Sequence, residues 1–588
     1  MYRLDETLLT RIEQKCSIGG VERVQVLIAG AGPVGLTLAH ELERHGVETL
    51  LVERNAGTTQ HPKMDITNGR SMELFRRLGI ADDLRARAVP SDHPVKVTWA
   101  TGAAGWELAS FAYPSVEEAR ALVAGTNDGT LPLEPAMRVS QVVLEPALRD
   151  LLVARADHGR VEYGWGLDSF AQDDDGVTAE LVETATGSRR TVRALYLAGC
   201  DGAGSRIRRG LGIGEHQIDL RRLAVKQLGV RRTVGSLLRN VRYDGTRPPD
   251  GRFYLVHFHS RDREIHRRFG YVWHLQSPEG WTLISQDDGE IWTLHSPLGV
   301  GVDADSIDPV QFVRDRLGHD LDVDVQVANA WVPRLVVADS FGAGRLWLAG
   351  DAVHQVTPTG GYGMNTGVGD AVGLGWALAA NVQGWGTPGL LKAYAAERRA
   401  VAVRNRDAAA RHALVRAAIM TTDWRDMHSE GWSGERTRRR LGREIADLGN
   451  LENEALGIEL GYRYDTSPII AHEPGPAPKQ TMDAYVPSTT PGVRPPSIKL
   501  VDGTAIFDLF GPGFTLLCFA EHDTAALEKA AAAVGLPLEV VDVRDPHARA
   551  LYERDLVLIR PDQHVAWRGD VPPAKPHSLI DLVRGVAA

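Results

Sequence analysis

The first strong pattern along the chain is VQVLIAG, beginning at Val24, a continuous apolar run of the kind buried on both faces of a parallel sheet. It runs into GAGPVG and then LTLAHELERHG, where Leu36, Ala39 and Leu42 recur at helical spacing and Gly46 supplies a terminator. VETLLVER reads as a second strand, so the segment predicts a βαβ unit with a right-handed crossover. Two further junctions of strand and glycine follow, ALYLAGCDGAGSRIR over 194–208 and GRLWLAGDAVHQVTPTGGYGMN over 344–365. Each reads as another edge of one site. Between them, FYLVHFHS and YVWHLQS alternate like half-exposed antiparallel strands, which predicts a second sheet.

From about 391 to 457 the pattern becomes helical and charged. HEPGPAPKQ and VPSTTPGVRPPS are dense in proline and glycine and read as an extended linker. Beyond it, GFTLLCFA and LEVVDV alternate with HDTAALEKAAAAVG, a small α/β pattern.

The 588 residues are 43% hydrophobic and 24% charged, ordinary globular usage that argues against a disordered or fibrous chain. A net charge of −10 makes nucleic acid and anionic membrane poor partners. Cys16, Cys200 and Cys518 match no disulfide or zinc spacing, so no metal site is expected. Charged residues among the first twenty break any signal sequence, and no apolar run reaches the roughly 18 residues of a membrane span. A cytoplasmic protein is the expectation.

Gly30, Gly32 and Gly35, with Pro33 between them, form GxGxxG, and Glu53 closes the second strand eighteen residues after the last glycine. Glycine lets the backbone approach a pyrophosphate, the helix N-terminus offers unpaired N–H groups, and the acid accepts ribose hydroxyls. Arg54 reads equally as a cofactor contact or a solvated charge.

The distant motifs choose the nucleotide. Cys200, Asp201, Gly202 and Ala203 with Ser205 and Arg206, and Gly350, Asp351 and Ala352 with His354, Pro358, Gly360 and Gly361, resemble the class A flavoprotein monooxygenases. These are aromatic hydroxylases that include phenol hydroxylase, and the resemblance covers roughly residues 22–400. It implies FAD, with Asp351 on the ribityl hydroxyls and backbone donors around Gly360, Gly361, Gly363, Met364 and Asn365 at the isoalloxazine edge. It also places Arg138 and Gln141 near the ribityl and phosphate region, and Asp201 near both FAD and pyridine nucleotide. The residues alone allow another reading, Asp351 as a helix cap and Asp201–Gly202 as a turn. The chain departs from the family at Tyr362, Gly373 and Ala377, where glutamine, asparagine and lysine are frequent.

No second glycine fingerprint appears, so the reductant, NADPH or NADH, binds transiently. The family mechanism implies hydride transfer to FAD, formation of a C4a-hydroperoxyflavin, and attack on it by an electron-rich ring. A phenol ionises near pH 10, so forming phenolate at pH 7 costs about 4 kcal/mol, which a base can offset. Asp65, five residues before Arg70 as in the phenol hydroxylase group, is the first candidate base, with a capping or structural carboxylate as the alternative. His257 and His259 share one face of their strand and are candidates to enter a substrate cavity, a metal pair being disfavoured; Tyr271 and Trp273 are candidates for its aromatic wall.

The expected fold is α/β: a Rossmann-like FAD-binding domain (22–92, 136–216, 330–400) with an inserted antiparallel-sheet substrate domain (93–135, 217–329). A leader (1–21), a helical segment (401–465), a linker (466–497) and a C-terminal unit (498–588) complete it. That last unit resembles the thioredoxin-like domain of phenol hydroxylase relatives but lacks CxxC, which excludes dithiol chemistry. The expected function is FAD-dependent, NAD(P)H-using hydroxylation of a phenolic or polycyclic aromatic compound with O2. Two alternatives stay open, Baeyer–Villiger insertion into a polyketide-like ketone and a non-catalytic flavin-fold binding protein. The oligomeric state is open, a homodimer included.

Overall fold

In the computed structural model, which describes residues 21–218, 249–475 and 477–586, the strand Glu22–Ala29 lies inside an eight-stranded sheet. It runs parallel to Thr49–Glu53 on one side and to Arg189–Gly199 on the other, and Leu346–Leu348 adds parallel to the latter. Ala29 is in register with Gly199, and Gly199 with Leu348. The three glycine-rich junctions that follow these residues therefore open on the same sheet edge. The expected leader and Cys16 lie outside the described residues apart from Val21, as does 219–248 of the expected substrate domain.

The helix Pro33–Arg44 buries Leu36, Leu38, Ala39 and Leu42. The helix Tyr362–Val382 crosses it so closely that a Cβ on Gly367 would collide with Val34 and one on Gly375 with Glu41. The departures from the family pattern have local causes. Gly373 faces Tyr394 and Arg398, Ala377 is fully buried where a lysine would lose its solvent, and the Tyr362 hydroxyl bonds His412 Nε2 at 2.9 Å.

A second sheet has seven strands in the order Asp324–Trp331, Pro249–His259, Ile291–Gly299, Thr282–Ser285, His274–Gln276, Val95–Ala100, Glu107–Tyr113. It is mixed rather than wholly antiparallel, since His274–Gln276 pairs in parallel with Val95–Ala100. Val256, Phe258, Leu275, Leu283 and Leu294 form its apolar face, covered by Phe312, Val313 and Leu317 of the helix Pro309–Leu317.

The helix Pro388–Met420 is continuous across the boundary expected at residue 400. The expected linker is largely irregular in backbone but is not a free tether. Its Arg494 is fully buried and its guanidinium donates to both carboxylate oxygens of Glu73. Dense proline removes backbone donors without preventing side-chain packing. The C-terminal unit is a four-stranded sheet, Leu538–Asp542, Phe514–Cys518, Leu556–Ile559, Val565–Gly569, with one parallel and two antiparallel pairs. Phe514 lies edge-on to Trp376 and Trp385, so its core is continuous with that of the first domain. Among the described residues no helix is long and apolar enough to cross a membrane.

Candidate active site

The glycine loop is built for close approach. Gly30 has φ +105°, and a Cβ on Gly30 would strike the Cys200 carbonyl, while one on Gly35 would strike the Gly30 carbonyl. Gly32 caps the helix without a side-chain bond, its missing Cβ would meet nothing nearer than Glu145 Oε1 at 4.0 Å, and Pro33 sits where no N–H is required. Glu53 Oε2 accepts from Ala31 N at 3.0 Å, and its Oε1 accepts from Asn55 N at 2.9 Å. Gln141 opens the helix Gln141–Arg155 and donates to Glu145 Oε1 at 2.6 Å, which places both beside the loop; burial raises the Glu145 carboxyl. Arg54 is exposed at the end of its strand.

The second and third junctions meet this loop. Asp201 Oδ2 accepts from Arg206 N at 2.7 Å, as the turn reading requires, yet its Oδ1 is buried without a partner. Arg208, from the same short helix, donates to Ala352 O at 2.9 Å and ties the two motifs together. Asp351 caps no helix. The turn Gly350–Ala352 is capped by Ala349, and the helix that follows by Gly361. Asp351 is an exposed residue, and the protein packed around its carboxylate raises its pKa.

Asp370, which the sequence did not single out, fixes this turn from behind. It is fully buried and accepts from Gly350 N at 3.1 Å, His354 Nε2 at 2.7 Å and Arg398 Nε at 2.8 Å. Burial alone would raise its pKa, but His354 and Arg398 outweigh burial and hold the carboxyl below its ordinary range.

The turn before the long helix needs its glycines. Pro358 O accepts from Gly361 N at 3.0 Å, Gly360 and Gly361 have φ of +84° and +64°, and a Cβ on Gly361 would stand 2.5 Å from Ile66 Cγ2. Gly363 and Met364 form the first helical turn, half-buried. Asn365 Nδ2 donates to Gly361 O at 2.7 Å and Ile66 O at 3.1 Å, while its Oδ1 accepts from Asn68 N at 3.0 Å. This turn is thereby bonded to the residue next to Asp65.

Asp65 stands where the two sheets meet. Its backbone belongs to a ribbon in which Ile66–Thr67 pairs with Met137–Arg138. The Trp273 indole N–H donates to its Oδ2, and His274 Nε2 lies 3.8 Å from the same oxygen. Burial would raise the Asp65 carboxyl, but His274, Trp273 and Arg138 together hold it low. Arg138 lies 5.8 Å over the Trp273 ring and donates to Ser285 O at 2.7 Å. The structure therefore places Arg138 at the junction of the sheets, whereas Gln141 adjoins the glycine loop.

Cross-strand register shows what shares this face. His274 is level with Ile284, Thr293 and His257, and Gln276 with Thr282, His295 and Leu255. The buried atoms His274 Nε2, Gln276 Oε1, His295 Nδ1 and Arg138 Nε have no hydrogen-bond partner. Buried polar atoms without a partner in the chain need one from outside it, water or a ligand. His257 and His259 are not part of this cluster. His257 is buried with Nδ1 at 3.1 Å from Thr293 Oγ1, and His259 bonds Glu290 at 3.2 Å beyond a register shift at His257/Phe258. Of the expected aromatic wall, Trp273 is buried against Asp65, but Tyr271 is exposed, edge-on to His93. Alternation sets His257 in register with Thr293 and His274, but it does not show which histidines already have partners. The pair His274 and Gln276, alternating in VWHLQS, carried the same signal.

The family model described as FAD binding domain matches residues 23–282 and 310–409. The model described as aromatic-ring hydroxylase, C-terminal, matches 488–586. The chain is 35% identical to the FAD-dependent monooxygenase apdD of Emericella nidulans over 93% of its own length and 87% of the relative's. It is 32% identical to aklavinone 12-hydroxylase RdmE of Streptomyces purpurascens, over 93% of its length and 95% of the relative's. Among solved structures it is similar to RebC with bound 7-carboxy-K252c, at 35% identity and a TM-score of 0.81, covering 96% of this chain and 100% of that one. With a glycine cradle, a free carboxylate at the third junction and a polar sheet face beside Asp65 in place, the chain belongs to the FAD binding domain family and is a class A aromatic hydroxylase, an FAD-dependent monooxygenase.

Proposed function

We propose that the protein uses NAD(P)H and O2 to hydroxylate a phenolic, polycyclic aromatic substrate of the polyketide-like class, bound between the Asp65 junction and the face of the second sheet. The relatives' names support this size and chemistry, one acting on aklavinone and another seen with 7-carboxy-K252c. FAD, when bound, supplies the two-electron activation of dioxygen at its C4a position, with one oxygen atom going to the ring.

The chain's residues do the rest. In this reading Gly30, Gly32 and Gly35 admit the pyrophosphate to the helix N-terminus, and Glu53 receives the ribose hydroxyls. Asp351 and Gln141 take the ribityl chain, and the turn Gly360–Asn365 presents backbone donors to the isoalloxazine edge. Asp201 keeps one buried oxygen for a hydroxyl or for the pyridine nucleotide. Asp65, an ionised carboxylate next to that turn, accepts the substrate's hydroxyl proton and raises the ring's electron density. A non-catalytic flavin-fold protein is set aside by the relatives' activities. The C-terminal sheet order supports a thioredoxin-like fold that serves as structure, since Cys518 is buried and alone there.

The observation that carries this reading is the bond from Asn365 to Ile66, which sets Asp65 against the flavin-holding turn. The test is to load the protein with FAD and screen naphthols, hydroxyanthraquinones and polyketide quinones for stimulated NAD(P)H oxidation. Hydroxylated product, identified by NMR, is expected; oxygen inserted beside a ketone would establish the Baeyer–Villiger alternative instead. An NAD(P)H oxidation rate indifferent to every compound would overturn the phenolic assignment.

A further inference from the structure

We propose that Trp331, Asn329 and His295 form a second polar subsite, across the sheet from Asp65, that selects substrates carrying a ketone with a neighbouring hydroxyl on the ring farthest from the one hydroxylated. The proposal rests on the reading above and deepens it, naming what the polycyclic substrate must present at its far end.

On the sheet face opposite the apolar core, Asn329, Leu255 and His295 stand level on three adjacent strands, and the row continues through Thr282 to Gln276. Trp331 lies two residues beyond Asn329 on the same face, level with Phe253, on which its ring stacks at 5.3 Å. The Trp331 ring also meets that of His295 edge-on at 5.7 Å. The three polar side chains therefore surround Leu255 as one patch. Asn329 Nδ2 donates to Ala330 O at 3.2 Å, which leaves Oδ1 as the acceptor of that amide. This Oδ1, Trp331 Nε1 and His295 Nδ1 are all buried without a partner. An indole nitrogen only donates and an amide oxygen only accepts, so the patch is complementary to a carbonyl oxygen beside a hydroxyl. Burial brings His295 down to about 4, so its neutral ring adds one further hydrogen bond without adding charge.

The sheet also sets the length of ligand that reaches both ends. His274, beside Asp65, lies on the strand two places from that of His295, a separation of about 10 Å at the ordinary strand spacing. Between the ends, Thr282 is already bonded to Arg416 at 3.0 Å and Leu255 is apolar, as the middle of an aromatic ligand requires. A single phenolic ring held at Asp65 leaves the far patch empty, whereas a fused-ring system laid along the row brings its remote edge to Trp331 and Asn329. A donor and an acceptor that the fold has already desolvated penalise any ligand that leaves them unpaired. The patch therefore discriminates chiefly by rejecting polycyclic compounds that lack oxygen at the remote ring.

The test uses FAD-loaded protein and two probes of equal length. One is 1,5-dihydroxyanthraquinone, with a ketone beside a hydroxyl at both ends; the other is 1-hydroxyanthracene, with no oxygen at its remote end. Binding is followed by perturbation of the flavin spectrum. Trp331→Phe keeps a ring against Phe253 but loses the N–H, and Asn329→Leu keeps the volume but loses the acceptor. Each should weaken binding of the dihydroxyanthraquinone about tenfold, hold its FAD, and bind hydroxyanthracene within about twofold of wild type. Each variant is read against its own hydroxyanthracene control, so either decides the matter if the other fails to fold. Equal weakening of both probes makes the residue a packing element and overturns the subsite. Unchanged affinity for the dihydroxyanthraquinone means that water serves these atoms, and overturns it as well, leaving the polycyclic reading standing. Failure of both probes to perturb the flavin of the wild type overturns that reading, and the subsite falls with it.

Discussion

The side-chain amide of Asn365 donates to the carbonyl oxygen of Ile66 across 299 residues of chain. The same side chain holds Gly361 O and accepts from Asn68 N, so three backbone groups from two segments meet on one residue. The turn assigned to the isoalloxazine edge and the strand that follows Asp65 cannot move independently while these bonds persist. Asn365→Ala removes all three, at about 1 kcal/mol each. Weaker FAD retention and poorer coupling of NAD(P)H oxidation to product are expected together. Fluorescence titration with FAD measures the first, and product per NAD(P)H the second. Loss of one without the other would separate the turn from Asp65.

Asp351→Ala should release most of the flavin. Its carboxylate bonds to no described residue and caps no helix, so the folded protein does not need it for its own hydrogen bonds. The melting temperature of the FAD-free protein should therefore remain near that of wild type while the purified protein loses its yellow colour. Full colour in the variant would remove Asp351 from the cofactor site.

Asp370→Asn should behave in the opposite way and destabilise the fold itself. It leaves Arg398 and His354 facing a neutral amide in a fully buried place, and breaking a buried pair of this kind costs about 3–5 kcal/mol. Because the folded-state pKa of Asp370 is lowered, the stability it confers is present above its ordinary value of 3.8 and is lost as pH falls through the lower folded value. Thermal melts of wild type and variant should therefore converge on acidification and differ most near neutral pH.

These residues also mark how far the chain could be read without its structure. The glycine junctions were legible because each demands a backbone that other residues cannot adopt, or a contact that a Cβ would block, as at Gly30 and Gly35. Their meeting on one edge was legible only as an ordered set of motifs, since it depends on the register of Ala29, Gly199 and Leu348. Asp370 was not legible. It lies in an apolar helix, and its partners stand 16, 20 and 28 residues away, a relation with no periodic trace. His257 and His259 were read from alternation, which tells a strand's face but not that Thr293 and Glu290 already occupy them. The proline-rich segment misled in the same manner, because what anchors it is one arginine bonded to a carboxylate 421 residues earlier.

Glu459 offers a test of the polar chamber behind the turn Gly360–Asn365. The chamber is lined by Asn68, Arg70, Asn365, Arg398, Asn405, Glu459 and Tyr462, and burial there pushes the Glu459 carboxyl up to about 7 from an ordinary 4.5. Glu73 adds to the rise, and a bond from the Gly69 backbone opposes it. Between those two values the folded chain keeps a proton that the unfolded chain releases, so stability falls as pH rises through that window. Above it the cost amounts to about 3 kcal/mol, at 1.36 kcal/mol for each unit. Acid has its own opponents in His295, His412 and His564. Burial lowers each of these to about 4, so they favour the unfolded chain as pH drops below 6.5. The two windows overlap between 4.5 and 6.5, where three histidines outweigh one carboxyl, so the wild type should be most stable near the top of that range. Glu459→Gln imitates the protonated acid and retains an acceptor for Gly69 N–H. It should melt at the wild-type temperature near pH 5 and several degrees above it near pH 8, moving the optimum upward. Calorimetry of the FAD-loaded proteins at both pH values decides the matter, because a difference independent of pH would mean that Glu459 is ionised in the chamber throughout.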